Sequence, residues 1–227
     1  MIVMQPVLEA RPLDDFDLWP VADTGSAEFL ALDGGLSPAE VGTAVLLVAR
    51  CNGSGPDLDP EGERPPRPAD PLGSFLYGLL TVEDVYAAGG LRVTDRATGI
   101  VFQPGCCDGL EDWRDWHGLA EHGGLVGYGH EPVSPVAERF GRTVRLTVNA
   151  DEPDSPVIVL PVADLGGLLA GVERDLADFL GLAADWARQY LPPVHRAPVI
   201  AALARALDLP VQSAPGVPTV PDLPSEG

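Results

Sequence analysis

Two of the three cysteines, three of the four histidines and two of the four tryptophans of this 227-residue chain lie between Gly105 and His130. The segment reads GCCDGLEDWRDWHGLAEHGGLVGYGH. Thiols, imidazoles and indoles can serve as nucleophiles, metal ligands or aromatic contact surfaces. Because these side chains are scarce elsewhere in the chain, this segment is the first place to look for chemistry.

Cys106 and Cys107 directly precede a predicted helix N-terminus, where the backbone dipole favours a thiolate. A reactive or redox thiol is therefore one hypothesis for the pair. Nearby carboxylates oppose it, because negative charge raises the pKa of a thiol. The pair lacks the CxxC spacing, and a disulfide between adjacent cysteines requires a strained backbone. We interpret both cysteines as small buried side chains at a tight turn.

A zinc site is the second hypothesis. Cys106 or Cys107 could join His117, His122 and His130 to supply four nitrogen and sulfur ligands. However, their spacing matches no standard zinc motif, and two histidines five positions apart lie roughly 140° apart around an ideal helix. We favour a structural interpretation, in which His117 lies at the core edge and His122 lies near a helix C-terminus, where positive charge is stabilised.

The other motifs of the segment are incomplete. His130 and Glu131 could form a general base pair, but neither an HExxH motif nor a nucleophile elbow accompanies them. The glycine pairs of the chain lack the GxGxxG and Walker patterns, so no nucleotide cofactor is predicted. Trp113, Trp116 and Tyr128 could form an exposed aromatic patch for a protein partner, although core packing is the usual place for tryptophan.

A helix from Gly109 to about His122 would position these side chains. Asp108 and Glu111 have the spacing of a capping box, with Asp in place of Ser or Thr. Leu110, Trp113 and His117 recur at helical spacing and predict one amphipathic face. The two glycines that follow predict the end of this helix.

Alternating and continuous apolar runs predict four β-strands, near residues 91–94, 100–102, 143–149 and 157–160. The first two are separated by DRATG, where Gly99 can adopt a turn conformation. A further short strand is predicted over 27–32. Because the strands cluster in the middle of the chain and helices flank them, we predict an α+β fold with a mainly antiparallel central sheet.

Helical periodicity is strongest over residues 164–190, where Asp164 is a suitable N-cap and Gly181 marks a potential break. Ser37 followed by a proline predicts another helix start. The pattern of 72–80 fits a strand or a helix, and a short helix is predicted after Thr81. A last helix is predicted over 198–209.

Proline and glycine divide the chain. Residues 52–74 form a predicted loop, and residues 210–227 form a predicted disordered proline-rich tail. We expect residues 1–209 to form a single domain. The first twenty residues lack the features of a signal peptide, no apolar run is long enough to span a membrane, and the odd number of cysteines is not a disulfide framework. A reduced, cytoplasmic location is expected.

The charge is strongly negative, with 14 basic residues against 34 acidic ones and a net charge of −20. All the basic residues are arginine, as the codon usage of a GC-rich bacterial genome would favour. This charge disfavours direct binding to nucleic acid or to an anionic membrane, and it favours a basic protein partner. We therefore predict a non-enzymatic protein-binding module, in its most concrete form an immunity- or antitoxin-like inhibitor. The alternatives are a metal-binding or thiol-dependent enzyme that uses the segment from Cys106 to His130, and a structural subunit of a larger assembly.

Overall fold

The structure is a computed structural model that describes residues 1–11, 15–25, 27–53, 64–105, 108–127 and 133–210. Helices and strands alternate irregularly along these residues, which confirms the predicted α+β class. The elements in chain order are β1 (Ile2–Glu9), β2 (Phe29–Ala31), α1 (Pro38–Cys51), α2 (Pro71–Thr81), β3 (Gly89–Asp95), β4 (Val101–Phe102), a 3₁₀ helix (Leu110–Arg114), α3 (Asp115–His122), β5 (Leu125–Val126), β6 (Val136–Phe140), β7 (Thr143–Thr147), β8 (Val157–Pro161), α4 (Val162–Tyr190) and α5 (Pro193–Ala206).

The strands form two antiparallel sheets of four strands each. The first sheet has the order β2-β1-β3-β4, and the second has the order β5-β6-β7-β8. All four predicted strands are present, but they are divided between the sheets: β3 and β4 belong to the first, and β7 and β8 to the second. β1, which was not predicted, lies in the first sheet and pairs with both β2 and β3. β6, also not predicted, pairs with β7 through a turn at Gly141, whose φ is +61°.

The first helices begin at side-chain caps. The Ser37 hydroxyl accepts a hydrogen bond from the Glu40 backbone, and the Glu40 carboxylate accepts one from the Ser37 backbone, so α1 starts with a complete capping box. Residues 72–80, whose pattern fitted a strand or a helix, lie in α2, and Asp70 caps this helix. The short helix predicted after Thr81 is wrong. Instead, the glycine pair that was expected to end it begins β3.

The long helix α4 spans 29 residues and is unbroken at Gly181. It begins at Val162, so Asp164 lies in its first turn and is not the N-cap. Packing compensates for the low helix propensity of its glycines. α5 begins at Pro193, five positions before its predicted start at Pro198.

Buried side chains from both sheets and from all five α-helices described form one hydrophobic cluster. α4 lies at its centre and contacts β1, α1 and α5. The aromatic rings of Trp19 and Trp186 meet edge to face, with centroids 5.2 Å apart, where α1 and α4 pack together. Predicted loop residues 54–63 and predicted tail residues 211–227 lie outside the described residues. Among the helices that the structure describes, none is both long and apolar enough to cross a lipid bilayer.

Candidate functional site

The described part of the segment rich in cysteine and histidine forms the 3₁₀ helix and α3. The predicted capping box is wrong, because Gly109 occupies the N-cap position and provides no side-chain cap. The Asp108 carboxylate instead accepts a hydrogen bond from the Gly105 backbone, and the Glu111 carboxylate accepts one from the Ala87 backbone at 3.0 Å. Glu111 thereby joins the 3₁₀ helix to the segment that leads into β3.

Both tryptophans of this segment are core residues. Trp113 is 1% exposed, and its indole N–H donates to the Leu207 carbonyl at 2.9 Å. Trp116 is 5% exposed and packs edge to face against Phe102, with the ring centroids 6.0 Å apart. The hypothesis of an exposed aromatic patch is therefore wrong for these two residues. Tyr128, its third member, lies outside the described residues.

The two described histidines do not converge. His117 packs against the Trp113 ring, with the ring centroids 5.7 Å apart. His122 ends α3 with an exposed side chain, 3.9 Å from the Glu121 carboxylate. Across residues 1–210, leaving aside the gaps already noted, no group of three His, Cys, Asp or Glu side chains could hold a metal ion. Cys106, Cys107 and His130 lie outside the described residues, so the zinc and thiol hypotheses stay untested.

The 3₁₀ helix borders an open cleft of about 550 Å³, which we call the acidic cleft. Its walls come from three separate parts of the chain: the segment before β3, the 3₁₀ helix and the end of α5. Four of its lining residues carry carboxylates and one carries a guanidinium. The lining residues are Glu83, Asp84, Val85, Tyr86, Glu111, Arg205, Asp208 and Leu209.

Two carboxylates of the 3₁₀ helix, Glu111 in the lining of the cleft and Asp112 outside it, are held in a setting that disfavours their charge. Partial desolvation raises the pKa of Asp112, and the nearby charges of Asp115 and Asp208 raise it further. Burial raises the pKa of Glu111, although its hydrogen bond from the Ala87 backbone acts in the opposite direction. Desolvation is therefore the largest cause for both carboxyls, and nearby carboxylates add a smaller contribution.

Arg114 connects the 3₁₀ helix with α4 and with the end of α5. The Arg114 guanidinium contacts the Asp208 carboxylate at 2.8 Å and the Glu173 carboxylate at 3.3 Å. It also donates to the Asp208 backbone carbonyl and lies 4.3 Å from the centre of the Trp113 ring. Asp208 has a positive φ of +46°, so these contacts hold the end of α5 in an uncommon backbone conformation.

An apolar groove of about 480 Å³ adjoins the acidic cleft and runs between α4 and α5. Small residues of α4 form its floor, and no atom lies within 4 Å of the position that a Cβ would take on Gly181. Leu209 lines both the groove and the cleft, so the two adjoin at this residue. The groove is lined by Glu173, Ala177, Leu180, Gly181, Ala184, Arg188, Ile200, Ala204, Leu209 and Pro210.

The sequence patterns did not predict either surface. Asp208 is distant in sequence from Glu83 and Asp84, the three belong to no motif, and only the net charge indicated that acidic surfaces would exist. We interpreted Gly181 from the sequence as a potential break in the helix, and this interpretation did not predict a groove. Its spacing from Ala177 and Ala184, four and three positions, was the available signal, because these small residues share one face of α4.

The comparisons with known proteins add no assignment, since no family model, no curated protein and no solved structure matches this chain.

Proposed function

We propose that this protein is a non-enzymatic binding module that captures a basic segment of another protein in the acidic cleft and the apolar groove. The observation that carries the proposal is that the two surfaces adjoin at Leu209. A segment with basic residues along one side and apolar residues along another would fill both surfaces at once. The most concrete form of this function is an inhibitor of a basic toxin, in the manner of an immunity protein or an antitoxin.

Electrostatics supports a cationic partner in two ways. The net charge of −20 attracts basic surfaces at long range and accelerates their encounter at low salt. At short range, the cleft presents the carboxylates of Glu83, Asp84 and Glu111 to a basic side chain, against one lining guanidinium, that of Arg205. Binding should therefore weaken as salt increases, and also as the pH falls far enough to protonate Glu111, whose pKa is raised by burial.

The direct test uses a synthetic amphipathic peptide, with lysine and leucine at helical spacing, as a probe in fluorescence anisotropy. The full chain should bind it, whereas the same peptide with glutamate in place of lysine should not bind. Glu83→Gln combined with Asp84→Asn removes two exposed charges from the cleft. We expect this double variant to weaken binding by about 2- to 30-fold, because each exposed charge contributes roughly 0.2–1 kcal/mol.

The matched control removes the same two charge types elsewhere. Asp17 and Glu152 are exposed and do not line the cleft or the groove. Asp17→Asn combined with Glu152→Gln should leave the affinity nearly unchanged. An equal loss in both double variants would show that only net charge matters, and affinity that does not respond to salt would contradict the proposal.

The groove is tested separately at Gly181. Gly181→Leu should fill part of the groove and weaken peptide binding, yet stabilise α4 by up to about 1 kcal/mol, because glycine is a poor helix former. Gly181→Ala should stabilise the helix to a similar degree and leave the groove open. Reduced binding by the leucine variant alone would assign the effect to groove occupancy, whereas unchanged binding by both variants would exclude the groove from the site.

A further inference from the structure

β8 forms an edge of the second sheet and has an unusual sequence for an exposed edge. Its five residues, VIVLP, carry no charge, and prolines stand directly before it and at its end. Within the described residues, β8 pairs with β7 alone. Natural sheets commonly protect such edges with charged residues, prolines, bulges or very short strands, because an open edge can pair with another chain. In β8 the prolines lie only at the ends, and the four residues between them carry no such protection.

The backbone of β8 directs hydrogen-bonding groups away from its own sheet. The Pro156 carbonyl accepts from the Val148 amide, and the Val162 amide donates to the Arg142 carbonyl, so residues at even positions face β7. In an antiparallel ladder the alternate residues face the other way. The amide and carbonyl groups of Val157 and Val159 therefore point to the open edge, and the Val159 side chain is 60% exposed.

We propose that β8 pairs with β8 of a second copy of this chain, in antiparallel orientation about a two-fold axis. With Val157 of one copy opposite Val159 of the other, each of these residues exchanges both of its backbone hydrogen bonds. A register that places Val159 opposite itself is poorer, because Val157 then faces Pro161, which has no amide hydrogen. The pairing joins the two second sheets into one sheet of eight strands.

The charges at the two ends of β8 are complementary under the same symmetry. The exposed Arg142 lies beside the C-terminal end of β8, and the acidic turn that contains Asp151, Glu152 and Asp154 precedes its N-terminal end. In an antiparallel pair the N-terminal end of one β8 lies beside the C-terminal end of the other, so the acidic turn of one copy and Arg142 of the other lie at neighbouring ends. The dimer therefore brings each arginine towards an acidic turn.

Light scattering after size-exclusion chromatography tests the proposal on the full chain. The measurement belongs at about 0.15 M salt, where a screening length of about 8 Å weakens the repulsion between two acidic copies. The wild-type chain should show twice the mass of one chain at micromolar concentration. A wild-type chain that stays monomeric throughout this range would overturn the proposal and leave β8 to a strand of a different protein.

Val159→Pro and Val159→Thr form a matched pair. Proline removes an outward amide for which the described residues provide no hydrogen-bond acceptor, so it should abolish the dimer and leave the fold intact, as far-ultraviolet circular dichroism would show. Threonine keeps both the amide and the β-branched shape, and it should retain the dimer. If Val159→Pro folds and still dimerises, the interface lies elsewhere and the proposal is wrong.

A charge exchange gives a second test that does not alter the strand. Arg142→Glu and Asp154→Arg should each weaken the dimer, and the two substitutions together should restore part of the affinity, because opposite charges again lie at neighbouring ends of the paired strands. Failure of the combined variant to regain affinity would contradict the proposed orientation. The outcome is independent of the proposed function, since these residues line neither the acidic cleft nor the apolar groove.

Discussion

The two sheets share their number of strands and their antiparallel order, but they differ at their edges and on their outer faces. β2 and β4, the edges of the first sheet, are three and two residues long. On the outer face of this sheet the Arg92 guanidinium donates to the Gln5 amide oxygen at 3.1 Å, and Pro104 lies over Gly90. The second sheet instead leaves apolar side chains uncovered on its outer face, where Leu125, Phe140 and Val159 are 59%, 51% and 60% exposed.

This difference shows what alternation in a sequence can and cannot predict. In β7, alternation predicted which side chains face the core, and Val144 and Leu146 are fully buried there. It contains no information on whether the opposite face is covered by another element or left open. On this open face the charged residues Glu138 and Arg145 lie between Leu125 and Val159, so the exposed apolar side chains form no continuous patch.

The largest expected effects come from the inner faces, where the sheets should behave alike. Leu8 in β1 is 1% exposed and Leu146 in β7 is 0% exposed, and both belong to the common hydrophobic cluster. Leu8→Ala and Leu146→Ala should each lower the free energy of unfolding by about 2–5 kcal/mol, through lost burial and the cavity left behind. Urea denaturation measures both. A much smaller loss for Leu146→Ala would mean that the second sheet is only weakly joined to the core.

A smaller effect tests the cover of the first sheet. Gly90 has φ +156°, and a Cβ there would lie 2.8 Å from the Pro104 side chain. Gly90→Ala should cost about 1–3 kcal/mol, from backbone strain together with displacement of the proline. Gly141 in the second sheet is the control, because its φ is +61° but no atom within 4 Å would meet its Cβ. If Gly141→Ala costs as much as Gly90→Ala, the strain is conformational and the cover of the first sheet contributes little.

The smallest effect concerns the acidic 3₁₀ helix, which packs against β3 and covers part of the first sheet. Because the pKa of Asp112 is raised in the folded state, its charged form destabilises the fold, and stability falls as the pH rises from the unfolded pKa through the folded pKa. Asp112→Asn should therefore stabilise the protein at neutral pH by less than about 1 kcal/mol, since solvent screens this exposed site. Thermal unfolding at several pH values measures the gain, which should vanish once the wild-type carboxyl is protonated in both states. A gain that persists at the lowest pH would assign the effect to something other than charge.

Local signals predicted the elements that are specified locally. Ser37, Pro38 and Glu40 together determine how α1 begins, and the alternating residues of β7 determine which face of that strand is buried. β1 could not be predicted in the same way, because Gln5 and Pro6 interrupt its apolar pattern and its partner β3 lies far along the chain. Only tertiary pairing makes that segment a strand.

The candidate site was less predictable than the fold. The segment rich in cysteine, histidine and tryptophan was singled out for its chemistry. In the structure its tryptophans are structural instead, because Trp113 and Trp116 anchor the 3₁₀ helix and α3 in the core. The acidic cleft forms where segments distant in sequence meet, and no local pattern records such a meeting. The amino-acid composition indicated that acidic surfaces would exist, and only the tertiary structure shows where the cleft lies.

The contacts of Arg114 have a consequence for the order of events during synthesis of the chain. They connect this residue with Glu173 and Asp208, which are 59 and 94 positions away along the chain. Contacts between such distant residues form late, because a long loop must close first. A growing polypeptide therefore lacks the complete acidic cleft until Asp208 has left the ribosome, and a basic partner present earlier would meet only an incomplete binding surface.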